Sequence, residues 1–286
     1  MPQRARRTQS KKLWLFYVEL CAFCGDFSML RIMAGLVDTH AHLCDPIFDP
    51  DRDRVLERAQ MEGICAVIAV GENVIDAEKN LQLAIRHPMI RPAAGLYPTF
   101  LDLDLAGKMR DFIRHYSDKL SAIGEVGLDH WKVQEESERE IQREIFSSFI
   151  ELGKETDLPL NVHSRSAGRH AVALLLKHSA ERVQLHAFDG KVAAALPAAE
   201  AGFFFSIPPS IVRSEQKQKL VKKLPLSCLL IETDSPVLGP NPQERNEPAN
   251  ARIVVKTIAE LKGKSEMEVI EAIAENTRRL YRDIFS

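Results

Sequence analysis

The chain lacks any apolar run approaching the roughly 20 residues of a membrane-spanning helix, so its body reads as a soluble protein with no membrane partner. A disulfide framework is also missing. The five cysteines are odd in number and dispersed at Cys21, Cys24, Cys44, Cys65 and Cys228, a usage that suits a reducing, intracellular compartment such as cytoplasm or nucleus. "CAFC" has metal-like spacing, but no second Cys or His pair lies near it. There is no Gly-rich phosphate loop after the first strand-like run, which argues against a doubly wound nucleotide-binding sheet. Finally there is no basic excess: 38 Lys and Arg stand against 40 Asp and Glu in 286 residues.

Charge is unevenly placed. Residues 1–32 hold six of the basic residues (Arg4, Arg6, Arg7, Lys11, Lys12 and Arg31) and two acids (Glu19 and Asp26), followed by the apolar "LWLFYVELCAFC". Basic then apolar fits a targeting sequence, a mitochondrial one included. An alternative start or gene-model extension fits as well, because Met33 directly precedes the first strand and would serve as initiator. On either reading residues 1–32 form an N-terminal extension outside the fold, and residues 33–286 form the working domain. Setting the extension aside leaves 32 basic and 38 acidic residues, a net of −6. A nucleic-acid binder relying on a broad basic surface is thereby excluded; phosphate would have to be attracted by local arginines and metal ions.

From Leu36 onward, eight apolar runs alternate with longer amphipathic segments. The runs are "LVDT", "CAVIAV" (65–70), "IRPAAGL" (90–96), "LSAIGEV" (120–126), "LPLNVH" (158–163), "RVQLHA" (182–187), "GFFFS" (202–206) and "CLLIETD" (228–234). Most are continuous rather than alternating, the pattern of parallel strands buried on both faces. Between them, Ile141, Ile145, Phe149 and Leu152 recur at three- and four-residue steps, as in a helix packed on one side. Ser265 and Glu268 have capping-box spacing. Eight strand–helix units in about 250 residues predict an α/β fold, a TIM-like (β/α)8 barrel in a single domain.

Such a barrel gathers chemistry at the C-terminal ends of its strands. His40 and His42 follow the first run, Glu125 closes the fourth, His163 the fifth, His186 the sixth and Asp234 the eighth. A lone loop histidine is usually solvated, and an Asp before Ser-Pro can simply start a turn. Four imidazoles and two carboxylates, all at strand ends, are hard to explain as independent accidents, and a carboxylate after an apolar run needs a compensating cation. His-x-His in extended backbone points both rings to one side. The set suits two divalent ions about 3.5–4 Å apart, with Glu125 bridging, His163 and His186 completing the second ion, and Asp234 on the first beside the attacking water. Mixed N and O ligands without thiolate suit zinc, manganese or magnesium, and the imidazoles put zinc first.

"DTHAHL", "GEVGLD", "NVHSR", "LHAFDG", "ETDSP" and "RNEPAN" together resemble the TatD family of metal-dependent deoxyribonucleases in the amidohydrolase superfamily. "HSRSAGR", "HAFDG" and "FFFSIPPSIVRS" resemble in particular its TatD domain-containing protein 3 branch. The resemblance runs from about Leu36 to the C-terminus. It implies a TIM-like barrel acting on DNA phosphodiesters, typically as a 3′-exonuclease, with activity at abasic sites a further expectation for this branch. It implies His40 and His42 on the first metal, Glu125 as bridge, His163 and His186 on the second, and Asp234 returning to the first. Arg165, Asp129 and Arg245 are similar to the family's substrate-positioning residues. Tyr97 in "GLYP" replaces a histidine of many relatives, so a phosphate or base contact there is expected to differ. Ala187 and Asp189 in "HAFDG" replace the more widespread Cys and Thr.

The expected reaction is two-metal hydrolysis of DNA by an activated water, with a guanidinium such as Arg165 or Arg245 gripping a phosphate oxygen. The alternative is a hydrolase of small esters, amides or lactones on the same barrel. Many of those carry a carboxylated lysine where this chain has Glu125, which favours the nuclease. A metal-binding but inactive interaction protein would show a lost ligand, and none is missing. DNA is the expected partner, and no obligatory protein partner is evident.

Overall fold

Apolar on both faces, each run from Leu36 onward can only be satisfied between two layers, and all eight become parallel strands with helices outside. A computed structural model describes residues 35–285; the reading of residues 1–32 lies outside the described residues. The order is β1 (Leu36–Ala41), α1 (Arg52–Met61), β2 (Ile64–Ala69), α2 (Val74–Arg86), β3 (Ile90–Ala94), α3 (Leu103–His115), β4 (Ala122–Gly127), α4 (Glu136–Thr156), β5 (Leu160–His163), α5 (Gly168–Lys177), β6 (Val183–Leu185), α6 (Val192–Glu200), β7 (Phe204–Ile207), α7 (Glu215–Lys223), β8 (Leu229–Ile231), α8 (Ala251–Lys262) and α9 (Glu266–Tyr281). Neighbouring strands pair in sequence order from β1 to β8, the arrangement expected of a (β/α)8 barrel.

The barrel closes at a seam of few bonds. A bridge joins Ala41 to Ser235 in parallel sense, and the His42 amide donates to the Ser235 carbonyl at 2.8 Å. The Asp234 amide donates to the His40 carbonyl at 2.8 Å. Below them, the Asp38 carboxylate accepts from the Thr233 amide at 2.8 Å and from its hydroxyl at 2.6 Å. Asp38 is fully buried, and burial pushes its carboxyl up to about 7 although Thr233 opposes the shift.

Two apolar layers flank the sheet. The larger lies between strands and helices and includes Val67, Ile123, Phe149, Leu185, Phe205 and Ile258. The smaller fills the barrel with Val37, Ile68, Ala93, Phe204, Leu230 and Tyr281. Helix α4 follows the predicted stripe: Ile145, Phe149 and Leu152 are buried, with Ile141 partly so. The capping box of α9 forms as its spacing predicts, Ser265 and Glu268 each accepting from the other's backbone. Tyr281, at the end of α9, is buried against the barrel interior and donates to Gln184 Oε1 at 2.5 Å.

Two strands are irregular where the candidate ligands sit. The β1–β2 register shifts between Asp38 and Ala41, and the β4–β5 register shifts between Ile123 and Val126. His40 and Glu125 therefore lie inside their strands rather than at or beyond the ends, because local breaks in the ladder re-aim a side chain without ending the strand. Gly127 makes the close approach of β4 to β5 feasible. Its φ is +146°, and an added Cβ would lie 2.1 Å from the His163 carbonyl oxygen. Gly63, by contrast, has φ +84° with nothing within 4 Å of such a Cβ. Gly63→Ala should cost only the conformational penalty of about 1–2 kcal/mol. Gly127→Ala adds overpacking to backbone strain and should cost about 3 kcal/mol or more. Urea denaturation of both variants checks this; equal losses would show that the contact with His163 carries no weight.

Candidate metal centre

Six side chains meet at the C-terminal end of the barrel, and they come from both sides of the β1–β8 seam. His40 Nε2 lies 3.3 Å from His42 Nε2, so the extended His-x-His does bring both rings to one point. Asp234 Oδ1 lies 3.4 Å from His40 Nε2 and 3.5 Å from His42 Nε2. Asp234 holds a left-handed backbone, φ 55°, of the kind found in non-glycine residues where surrounding structure over-determines them. Here its amide bond to His40 and the Val237 amide on its own carbonyl, at 2.9 Å, fix it.

Glu125 joins two donor sets. Its Oε1 lies 2.5 Å from His163 Nδ1 and 2.8 Å from His186 Nε2. Its Oε2 faces the other way, 3.3 Å from His42 Nε2 and 3.8 Å from His40 Nε2. That oxygen is buried and has no hydrogen-bond partner among the described residues. An unpartnered buried carboxylate oxygen costs several kcal/mol, and a cation between it and the imidazoles removes that cost. Groups within metal-binding reach are His40, His42 and Glu125; His40, His186 and Asp234; and Glu125, His163 and His186. The donor chemistry and the orphaned oxygen fit divalent cations.

The ring nitrogens facing away from the cluster are also held. His40 Nδ1 meets Asn161 Oδ1 at 2.8 Å, and His163 Nε2 meets Asp129 Oδ2 at 3.1 Å. In the neutral rings those nitrogens donate and the opposite nitrogens present lone pairs inward, as a metal-binding imidazole requires. His186 Nδ1 faces Glu232 Oε2 at 3.8 Å, beyond hydrogen-bonding distance.

Electrostatics split the imidazoles. Burial and the neighbouring His40 ring hold His186 down to about 4. Burial would lower His163 too, but Glu125 and Asp129 outweigh it and lift it to about 9. Burial opposes ionisation of Asp234 and Glu125, yet the surrounding histidines keep both carboxyls below their ordinary range. Both acids are thus ionised in a nearly dry site.

A cavity of about 680 Å³ opens over the cluster, lined by His42, Glu125, His163, His186 and Asp234 together with Tyr97 and Arg165. The Tyr97 ring meets His163 edge-on at 5.2 Å, and burial raises its phenol pKa. Arg165 is exposed and has no ion-pair partner among the described residues. Arg245 does not line this cavity. It makes paired bonds to Asp51 at 2.8 and 2.7 Å and donates to the Ile47 carbonyl at 3.0 Å, bracing the loop that contributes Asp45 and Pro46 to the cavity wall. Asp189 accepts from the Ser166 amide at 2.7 Å, tying the His186 loop to the turn that carries Arg165.

Four residues of the site escape the motif reading. Asn161, Gln184 and Glu232 stand two positions before His163, His186 and Asp234, so strand periodicity places them one layer beneath the ligands. They are fully buried and hydrogen-bonded in series: Asn161 to Tyr281, Tyr281 to Gln184, Gln184 to Ser206 and Ser206 to Glu232. Burial pushes Glu232 up to about 8 against the pull of His40. The fourth is Lys217 of α7, which reaches into the cavity and donates to the Ala187 carbonyl at 3.0 Å. The period-two polar pattern was a usable signal for the first three; nothing in the sequence around Lys217 marks it.

Comparison with known proteins agrees with this geometry. The family model described as "TatD related DNase" matches residues 37–282. The human protein named "Deoxyribonuclease TATDN3" is 47% identical over 262 residues, covering 86% of this chain and 94% of the human one. "Uncharacterized metal-dependent hydrolase YabD" of Bacillus subtilis is 34% identical, covering 86% of this chain and 99% of the relative. Among solved structures, the TatD homologue YJJV of Escherichia coli K12 superposes with a TM-score of 0.79 at 27% identity, covering 87% of this chain and 98% of that one.

If Asp129 fixes the His163 ring for a metal, Asp129→Ala should weaken zinc affinity roughly 10–100-fold. Chelator competition with purified protein reads this directly. Unchanged affinity would show that His163 is oriented by packing alone.

Proposed function

The chain belongs to the TatD-related DNase family, and on that premise we propose that it hydrolyses DNA phosphodiesters at this centre, as a 3′-exonuclease that also cuts at abasic sites. The observation that carries the reading is Glu125, whose two oxygens address separate donor sets while Oε2 has no hydrogen-bond partner. His40, His42, Asp234 and Glu125 Oε2 would hold one divalent ion; His163, His186 and Glu125 Oε1 would hold another. Zinc suits these donors first, then manganese or magnesium. When bound, such ions supply Lewis acidity, making a water acidic enough to attack at neutral pH and offsetting charge on the phosphoryl oxygens.

The chain's own groups do the rest. Asp234, kept ionised by His40 and His42, would accept a proton from the attacking water. Asp129 and Asn161 keep the His163 and His40 rings oriented through their outward nitrogens. Arg165, free of carboxylate partners, offers paired donors to a non-bridging phosphate oxygen. Tyr97, neutral at any physiological pH, offers a hydroxyl to the phosphate or base. Arg245 acts at a distance, through Asp51 and the loop it braces. The location proposed is intracellular, on the unpaired thiols of Cys44, Cys65 and Cys228.

The test incubates end-labelled single-stranded DNA with protein and zinc, manganese or magnesium, beside EDTA controls and Asp234→Asn. The expected result is a ladder shortening from the 3′ end, stopped by EDTA, with Asp234→Asn slower by roughly 10²–10⁴-fold as for loss of a general base. Intact DNA under all three metals, with turnover of a chromogenic ester or lactone, would assign the centre to small-molecule hydrolysis instead.

A further inference from the structure

The rim beside the candidate metal centre carries an exposed indole with a cation against its ring and a second one near it. Trp131, in the loop after β4, is 50% exposed. The Arg165 guanidinium carbon lies 3.8 Å from its ring centroid, and the Lys132 ammonium lies 5.0 Å from it. Neither cation has an ion-pair partner among the described residues. Among the described residues Trp131 is the one Phe, Tyr or Trp ring exposed to this degree, and exposing half of an indole is unfavourable.

The position of this ring is set by the metal centre. Asp129 Oδ2 holds His163, while its Oδ1 accepts from the Trp131 amide at 3.0 Å and the Lys132 amide at 2.8 Å. Arg165 is registered in turn by His163, two residues earlier, and its carbonyl accepts from the His130 amide at 2.9 Å. One carboxylate thus sets both a metal ligand and the indole, and the Arg165 side chain spans from the ring to the cavity. A flat aromatic surface flanked by cations is how proteins hold an unpaired nucleotide: the ring stacks the base and the cations meet its phosphate.

We propose that Trp131 is a nucleobase platform, stacking the base of the nucleotide next to the scissile phosphate while Arg165 meets that nucleotide's phosphate. This rests on the DNA reading of the centre and adds a specificity-determining contact to it. Lys132, on a long exposed side chain, swings from the ring to the strand as the base arrives.

The chain has two tryptophans, so Trp14→Phe leaves Trp131 as the sole indole reporter in the full-length protein. A short phosphorothioate oligothymidylate, resistant to cleavage, is titrated in manganese buffer and followed both by Trp131 fluorescence and by polarisation of a labelled copy. The expected result is saturable quenching, roughly tenfold weaker binding for Trp131→Ala, and binding within about threefold of the parent for Trp131→Phe, which keeps a ring. A tetrahydrofuran abasic residue moved along the oligonucleotide should weaken the parent at one position and leave Trp131→Ala unaffected there, because a shared contact is lost only once. Normal binding by polarisation with no quenching and an unaffected Trp131→Ala would overturn the platform while leaving the nuclease intact. Failure of the oligonucleotide to bind, with no cleavage of ordinary DNA under any metal, would overturn both.

Discussion

Everything at the active end depends on β1 closing against β8. His40 and Asp234 are 194 positions apart, and no local structure could bring them within the observed 3.4 Å. The seam that does so is not a regular ladder. It consists of one bridge, a few amide–carbonyl bonds and the buried Asp38 carboxylate on Thr233. Thr233 lies between Glu232 and Asp234, and Asp38 lies two residues before His40. The bonds that close the barrel therefore lie on, or within two residues of, the side chains that build the candidate metal centre. Slippage at the seam would take His40 and His42 away from Asp234 together. That coupling explains a buried carboxylate where an apolar pair would be less costly to bury: its fixed hydrogen bonds set a register that packing alone would leave loose.

The same economy appears beneath the ligands. A barrel of this size is normally filled by branched apolar side chains in layers. Here one layer is polar, running from Asn161 through Tyr281, Gln184 and Ser206 to Glu232. Each of these groups is buried and finds a partner, so the layer avoids the penalty of unsatisfied polar atoms. Its ends touch the centre: Asn161 holds His40, and Glu232 takes the amide of Ala187, next to His186. Tyr281, delivered by the last helix, is the member without which the series breaks in the middle. The C-terminal helix thus contributes to ligand orientation although it carries no ligand.

How far this was legible in the sequence follows from what each feature requires. The eight strands were legible because burial on both faces forces continuous apolar runs, and that pattern survives without knowledge of neighbours. The six metal-cluster residues were legible because barrel topology converts strand ends into one rim, so residues distant in sequence needed only a shared topological place. The placement of His40 and Glu125 within their strands was not legible, since a register shift depends on the partner strand. Asn161, Gln184 and Glu232 left a trace, a polar residue two before each ligand, but that pattern equally fits a solvated edge until the barrel is known to close. Lys217 and the Trp131–Arg165 contact left none, because each joins loops or helices whose relative height no local pattern encodes.

Net charge gives the last constraint. At −2 over the full chain and −6 over residues 33–286, the net charge repels a polyanion, and electrostatic steering has no net positive charge behind it. Screening at physiological ionic strength confines that repulsion to about 8 Å, so what decides binding is the charge met at contact. At contact the picture reverses. Divalent ions held by Glu125 and its neighbours would outweigh the two carboxylates between them, and Arg165 and Lys132 stand unpaired on the adjoining rim. A protein arranged this way gains little from DNA that merely passes near, and gains only when a backbone phosphate enters the cavity itself. On the proposed function, the acidic surface suppresses non-specific retention on duplex DNA, whose evenly spaced phosphates would otherwise bind a basic surface anywhere along their length. Selection then falls to the few groups that touch the end or lesion being cut.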